Sequence, residues 1–411
     1  MTTVSSRAQS PDPSEVEGRG LHSSGRILFI DHTAVLGGAQ LSLLDIATGL
    51  RHRGATALFE AGPLRDALVA AGVAVIPIAA GASLRSIKKH SRLPSPSALV
   101  GTGRAVLELA RVAPRFDLLY ANSPKSFLVS AAAGLLARRP VVWHLRDILD
   151  YEHFSRSNVR LLVAVANARA ARVVANSQAT ADAFVAVGGR RAIVRVVHNG
   201  IDAAPFDRLG AADRLRMRRE LDIPEDAFLV GSFSRLHPWK GQDVLLDALA
   251  QLPDVHAIIV GGALFSGEAA YEAALRERAS QPPLAPRVHL LGTRTDVPRL
   301  ISACDLVVHT SVLPEPFGRV LVEALLATRP LVASDAGGVR EIVTDGQTAL
   351  LIPPGDAVRL ADAVRAIRSD PAKSRLMAEA GAADVRRRFT REAMLDGVTR
   401  VIDDVLGGVH S

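Results

Sequence analysis

The chain has 411 residues, 48% of them hydrophobic and 22% charged, with a formal net charge of +7; this is the composition of a folded protein with room for two or three domains. No apolar run approaches the roughly 20 residues of a transmembrane helix, and aromatics at 4%, with no basic helix interleaved by stacking side chains, count against nucleic acid. The single cysteine, Cys304, excludes an internal disulfide and a cysteine-based zinc site, and the positive charge favours anionic partners without choosing among nucleotides, phospholipids and nucleic acid.

Residues 1–24, rich in Ser, Pro, Gly and charge, read as a disordered tail. They lack the apolar core of a secretory signal, so a cytoplasmic location is expected. From Arg26 onward apolar strands alternate with helical segments. The strands are Arg26–Ile30, Ala55–Glu60, Val73–Ile78, Phe116–Tyr120, Val141–His144, Arg172–Ala175 and Ile193–Val197. Gly37-Gly38 and an amphipathic helix from Ala39 to about Arg53 follow the first of them. Residues 203–226, charged and holding Pro205 and Pro224, read as a linker with one helix. A second series has strands Phe228–Phe233, His256–Val260, Val288–Leu291, Leu306–His309, Leu331–Ala333 and Ala349–Ile352. Continuous apolar strands alternating with helices predict parallel sheets covered on both faces. The expected architecture is α/β, with Rossmann-like domains at 25–203 and 227–388, a linker at 204–226, and a C-terminal helix at 389–411 returning to the first domain. Open sheets of this kind bind ligands outside the carboxyl ends of their strands, so functional residues are expected just after strands.

Several segments meet that condition. Ser311-Val-Leu-Pro-Glu-Pro-Phe-Gly-Arg-Val-Leu-Val-Glu-Ala324 places Glu315 in a loop after a strand and Glu323 on the second turn of a helix. Gly318 lets a ligand approach the backbone, the free amides of the helix start favour an anion, and carboxylates accept hydrogen bonds from hydroxyls. Arg235 and Lys240 straddle the turn after Phe228–Phe233, where a guanidinium fork and an ammonium can clamp a diphosphate. Asp335-Ala-Gly337-Gly338-Val-Arg-Glu341 again puts glycines after a strand, and Glu341 is either a cleft carboxylate or a helix-start residue. In the first half, Gly37-Gly38 are a ligand-approach loop or a helix-entry turn, Asn122 and Ser123 face the cleft or cap the next helix, and His144 ends a central strand. Neither Gly-x-Gly-x-x-Gly at the first strand nor a P-loop motif occurs.

Glu315 with Glu323, Arg235 with Lys240, Gly337-Gly338 with Glu341, Gly37-Gly38 and His198-Asn-Gly-Ile-Asp202 together resemble the retaining, metal-independent glycosyltransferases of family GT4. The resemblance spans roughly Arg26 to the C-terminus and is sharper in the second half. It implies the GT-B fold, two Rossmann-like domains whose parallel sheets face each other across a cleft. It implies a UDP- or GDP-sugar donor, no cofactor, no metal, and a sugar, lipid-linked or natural-product acceptor. Arg235 and Lys240 would neutralise the diphosphate, and the amides of Phe317, Gly318, Arg319 and Val320 would cradle it. Glu315 would hold sugar hydroxyls, Glu323 the ribose, and Gly337, Gly338 and Glu341 would line the donor. His144 would stand beside the donor sugar, and Gly37, Gly38 and Asn122 would shape the acceptor and phosphate side. Transfer would proceed with retention by front-face attack, so the paired-carboxylate logic of glycosidases does not apply. A GT-B sugar-nucleotide epimerase and a sugar-nucleotide-binding protein without turnover are the competing classes.

Arg85, Lys88, Lys89, His90 and Arg92 cluster after the third strand. They are a solvated loop or a contact with an anionic membrane face, worth about 1 kcal/mol per basic residue. The sequence does not choose the sugar, the base, the acceptor or the oligomeric state.

Overall fold

The computed structural model describes residues 25–79, 96–264 and 267–408. These fall into two compact units. The first takes the chain up to Asn176, Ala181–Val197, and the chain from Leu395 onward; the second takes Ser177–Thr180 and His198–Met394.

The first unit carries β1 (Ile27–Asp31), β2 (Gly54–Leu58), β3 (Ala74–Pro77), β4 (Leu118–Ala121), β5 (Val141–Leu145), β6 (Ala170–Ala175) and β7 (Val194–Val196). Their order is β3-β2-β1-β4-β5-β6-β7, and every pairing is parallel. The second carries β8 (Phe228–Phe233), β9 (Val255–Val260), β10 (Val288–Gly292), β11 (Leu306–His309), β12 (Leu331–Ser334) and β13 (Leu350–Ile352). Here the order is β10-β9-β8-β11-β12-β13, again wholly parallel. Strand order reverses between β1 and β4 and between β8 and β11. Those reversals open a crevice at the carboxyl ends of the strands, where ligands of such sheets bind.

The apolar runs form strands because both of their faces are covered. All five residues of β1 and all four of β11 are buried. In the first core Trp143 of β5 stacks on Phe127 at 4.5 Å and meets Phe184 edge-on at 6.2 Å. In the second, Phe317 and Phe389 pack edge-on at 5.6 Å. Cys304 lies wholly inside this unit against Gly231, where an added Cβ would stand 2.5 Å from its sulfur. Burial pushes its thiol up to about 12.

Two segments differ from the sequence expectation. The helix expected over Ala39 to about Arg53 stops at Gly49, and Arg51–Arg53 form a single 3-10 turn before β2. The stretch read as a linker is part of the second unit. Its helix Ala211–Glu220 looks solvated by composition, yet Arg218 is fully buried. Arg218 donates to the carbonyls of Ala303, Glu225 and Ala227 and to Asp305 Oδ2 at 2.7 Å. Arg214 reaches the other Asp305 oxygen at 2.6 Å. Removing one partner of such a pair strands charge and carbonyls inside. Arg218→Ala is therefore expected to destabilise the second unit by about 3 kcal/mol or more, read as a lowered midpoint in urea unfolding.

Among the described residues no helix is long and apolar enough to cross a membrane.

Candidate active site

The second unit gathers its chemistry where β8 and β11 end. After β8 the chain turns through Arg235 and a short 3-10 segment, Pro238–Lys240, into the helix Gln242–Leu249. After β11 it runs through Thr310 and Ser311 to Glu315. Gly241 joins the two turns: its φ is +66, and a Cβ there would lie 2.1 Å from the Thr310 carbonyl oxygen. Thr310 Oγ1 donates to the Lys240 carbonyl at 3.0 Å, and Val312 N to the Trp239 carbonyl at 2.8 Å. These bonds aim Lys240 at Glu315.

Lys240 Nζ lies 2.5 Å from Glu315 Oε2 and 4.0 Å from the centre of the Trp239 ring. The same Oε2 accepts from Ser311 Oγ at 3.0 Å and lies 3.1 Å from His309 Nε2. Three partners thus share one oxygen, while Oε1 has no hydrogen-bond partner among the described residues. Burial opposes the Glu315 charge, but the Lys240 ammonium and the His309 contact hold the carboxyl well below its usual range. Burial pulls Lys240 below its ordinary value, and the Glu315 carboxylate opposes that pull. The centre is therefore a nearly buried ion pair with one carboxylate oxygen left to accept.

Arg235 does not stand as an isolated cation either. Its guanidinium meets Glu268 Oε1 at 2.8 Å, and Glu268 Oε2 accepts the Leu264 amide at 2.8 Å. Gln242 Nε2 fixes the turn by donating to Ser234 Oγ at 2.8 Å and the Arg235 carbonyl at 2.9 Å. Two carboxylates therefore orient the two cations that the sequence singled out.

The helix Arg319–Leu326 begins at Gly318, whose φ is +93. Phe317 is buried against Phe389 and His198, so its backbone rather than its ring is available to a ligand. Val320 is half-buried on the first turn. Glu323 lies 3.7 Å from Arg319, its neighbour one turn earlier.

Gly337 and Gly338 serve close approach, but to the chain itself. Gly337 pairs with Glu315 in a parallel bridge with φ at +66, and a Cβ there would stand 2.3 Å from the Glu315 carbonyl oxygen. Gly338 N donates to that carbonyl at 2.7 Å. The loop after β12 thereby fixes the backbone of Glu315. Glu341 sits on the following short helix, Val339–Ile342. Its carboxylate accepts the amides of Gln178 and Ala179 at 2.7 and 2.8 Å and lies 2.8 Å from His198 Nε2. Burial works against its charge, and these bonds overcome burial and lower its pKa.

In the first unit Gly37 caps the helix Gly38–Gly49 in extended conformation, so this pair forms a helix-entry turn. Ser123 caps the helix Pro124–Ala137 in a reciprocal arrangement with Ser126. Asn122 is buried: its Nδ2 donates to Asp31 Oδ2 at 2.6 Å and its Oδ1 accepts from Arg146 Nε at 2.5 Å. His144 lies inside its strand rather than at the end. Pairing with β6 extends β5 to Leu145, which leaves His144 fully buried. Its Nδ1 is 2.6 Å from the Tyr120 hydroxyl, its Nε2 has no partner among the described residues, and burial, helped by Arg146, holds the imidazole neutral far below its usual pKa. The structure gives His144 an environment closed to solvent. Arg85, Lys88, Lys89, His90 and Arg92 lie outside the described residues.

Sequence reasoning passed over Asp31, His32, His309 and Ser311. Each is a polar residue at the carboxyl end of a central strand, and that position is the signal that would have found them. Among the described residues no group of three or more His, Cys, Asp or Glu side chains is placed to hold a metal ion.

With this geometry in place, likeness to known proteins becomes informative. Residues 213–384 match the family "Glycosyl transferases group 1", and residues 37–200 match "Glycosyl transferase 4-like domain". A D-inositol 3-phosphate glycosyltransferase of Mycobacterium marinum is 29% identical over 404 residues, covering 92% of this chain and 84% of that protein. The lipopolysaccharide core biosynthesis mannosyltransferase LpsB of Rhizobium meliloti is 30% identical over 55% of this chain and 66% of its own length, so the chain spans less than two thirds of that relative. Crystal structures of Anabaena HepE, in complex with UDP and glucose and with UDP-glucose, each share 38% identity with it at a TM-score of 0.84. They cover 92% and 93% of this chain and 100% of HepE.

Proposed function

Because the chain belongs to the group 1 glycosyltransferases and has their GT-B fold, we propose that it moves a sugar from a UDP-sugar to an acceptor hydroxyl with retention of configuration and without a metal. Sugar transfer is the family's chemistry; the likeness to HepE, whose structures hold UDP and UDP-glucose, favours uracil over guanine. The observation that carries the reading is the Lys240–Glu315 pair with Oε1 open.

In this reading Lys240, held by Glu315 and stacked on Trp239, takes a donor phosphate oxygen. Arg235, oriented by Glu268, takes a second. Four amides, of Phe317, Gly318, Arg319 and Val320, add fixed dipoles at the start of a helix. Charge developing on the departing diphosphate meets donors already in place, which is the large electrostatic contribution to such transfers. Glu315 Oε1 accepts a donor-sugar hydroxyl and Glu323 a ribose hydroxyl. Gly337 and Gly338 act by fixing Glu315, and Glu341 by fixing the turn that carries them. The acceptor oxygen forms its bond to the anomeric carbon on the face from which the phosphate leaves. The acceptor proton passes to that phosphate, which becomes the protonated leaving group. A polar contact with an anionic membrane face through Arg85, Lys88, Lys89 and Arg92 belongs to this reading as an accessory of a lipid-linked acceptor.

The test is a thermal-shift panel of UDP- and GDP-sugars. A ligand at 100 times its Kd stabilises by about 2.7 kcal/mol, so UDP-glucose is expected to raise Tm by a few degrees and GDP-mannose by less. A melt that no nucleotide or nucleotide sugar moves would overturn the proposal.

A further inference from the structure

The first unit holds a polar cluster at its own strand-order reversal, where β1 and β4 end. Asp31, the last residue of β1, is fully buried. Its Oδ2 accepts from Gln40 Nε2 at 3.0 Å and Asn122 Nδ2 at 2.6 Å. Its Oδ1 accepts the backbone amides of His32 at 2.7 Å and Thr33 at 3.3 Å. Burial opposes its charge, but the His32 contact and the two amide side chains keep the carboxyl below its ordinary value.

These four donors already match the roughly four lone-pair sites of a carboxylate. The His32 ring is a further partner, with Nδ1 at 3.1 Å from Oδ1 and 2.7 Å from Ser123 Oγ. Satisfying Asp31 therefore does not require the imidazole; the carboxylate and the serine instead fix the orientation of the ring. A buried carboxylate facing Nδ1 favours the tautomer with its proton there, which leaves the Nε2 lone pair as acceptor. His32 is partly exposed, with 20% of its side chain open, while Asp31 behind it has 0%. No described residue hydrogen bonds Nε2. A ring held from behind and open in front, at the carboxyl edge of a parallel sheet, is placed to receive a ligand donor.

We propose that His32 Nε2 accepts a hydrogen bond from the attacking hydroxyl of the acceptor, a sugar or cyclitol alcohol, and so aims its oxygen. The assignment rests on the sugar-transfer reading above. Asp31 and Ser123 are positioning residues that fix the tautomer and the ring. The proton itself still leaves with the phosphate, so His32 orients the nucleophile without being consumed or regenerated.

The full chain is assayed with UDP-glucose and with methyl glucoside, octyl glucoside and D-inositol 3-phosphate as acceptor probes, using whichever turns over fastest. His32→Asn places an amide near the position of Nδ1 and loses the Nε2 acceptor; His32→Gln reaches the position of Nε2. The Asn variant is expected to lose tenfold or more in kcat/KM for the acceptor. The Gln variant should recover part of that loss, and UDP affinity should stay within twofold in both. Unchanged acceptor kcat/KM in the Asn variant would overturn the assignment. So would an equal loss in both variants accompanied by lower Tm, which is the signature of a purely structural ring. A wild-type chain that binds UDP-glucose yet transfers to none of the probes overturns this assignment and leaves the donor site standing. One that neither binds nor turns over any nucleotide sugar overturns the reading beneath both.

Discussion

Glu315→Ala is expected to cut sugar transfer by about 10²–10³-fold, the size of effect seen when a single preorganised polar group is removed from a reacting centre. The loss should fall on turnover. Glu315 Oε1 is the open acceptor for a donor-sugar hydroxyl, whereas the groups assigned to the diphosphate, Arg235, Lys240 and the amides around Gly318, all remain. UDP affinity measured by calorimetry should therefore change by only a few-fold while acceptor-dependent UDP release collapses. Near-normal turnover of the variant would show that the hydroxyl-gripping carboxylate lies elsewhere.

Lys240→Met should act in the opposite sense. It removes an ammonium from a phosphate site, and a hydrogen bond to a charged group contributes about 1.5–3 kcal/mol; UDP affinity should fall by about 10–100-fold. It also leaves Glu315 inside without its cation, at a cost of about 3 kcal/mol or more in folding stability. That cost carries a pH signature. In the native protein the Glu315 carboxyl is held well below its unfolded value of 4.5, so its contribution to stability is complete above that pH and is lost as pH falls through the folded value. In the variant, burial acts unopposed by the ammonium and raises the carboxyl, so protonation relieves the penalty. The gap in Tm between wild type and variant should be widest near neutrality and narrow as the pH drops below 4.5. A gap that stays constant with pH would mean that Lys240 does not hold the carboxylate ionised.

Most of the sheet architecture was legible because the physics is local. A run such as Leu306-Val-Val308, apolar throughout and bounded by polar residues, has few alternatives to a buried parallel strand. The turns after β8, β11 and β12 were legible for the same reason, as glycines and charges placed where strands end. What stayed hidden depends on partners far along the chain. Nothing near His144 announces that pairing with Ala170–Ala175 will carry β5 one residue further and enclose the ring. Nothing near Glu341 points to the amides of Gln178 and Ala179. The helix Ala211–Glu220 reads in the sequence only as part of a charged linker, but Arg218 directs its charge inward to Asp305 and the carbonyls of Ala303, Pro224, Glu225 and Ala227. The pairing of Lys240 with Glu315 was also missed: both residues were named, but as separate ends of a ligand rather than as partners of each other.

Cys304 offers a different kind of access to the molecule. A thiol reagent attacks the thiolate, and this sulfur is both sealed from solvent and held protonated up to about 12. Being the sole thiol in the sequence, it reacts only from conformations in which the packing around β8 and the helix Val297–Ala303 has opened. The rate of its labelling in native buffer is then a direct count of how often the second unit breathes. A donor that grips that unit should slow the count in proportion to its occupancy, giving a binding assay that needs neither an acceptor nor turnover.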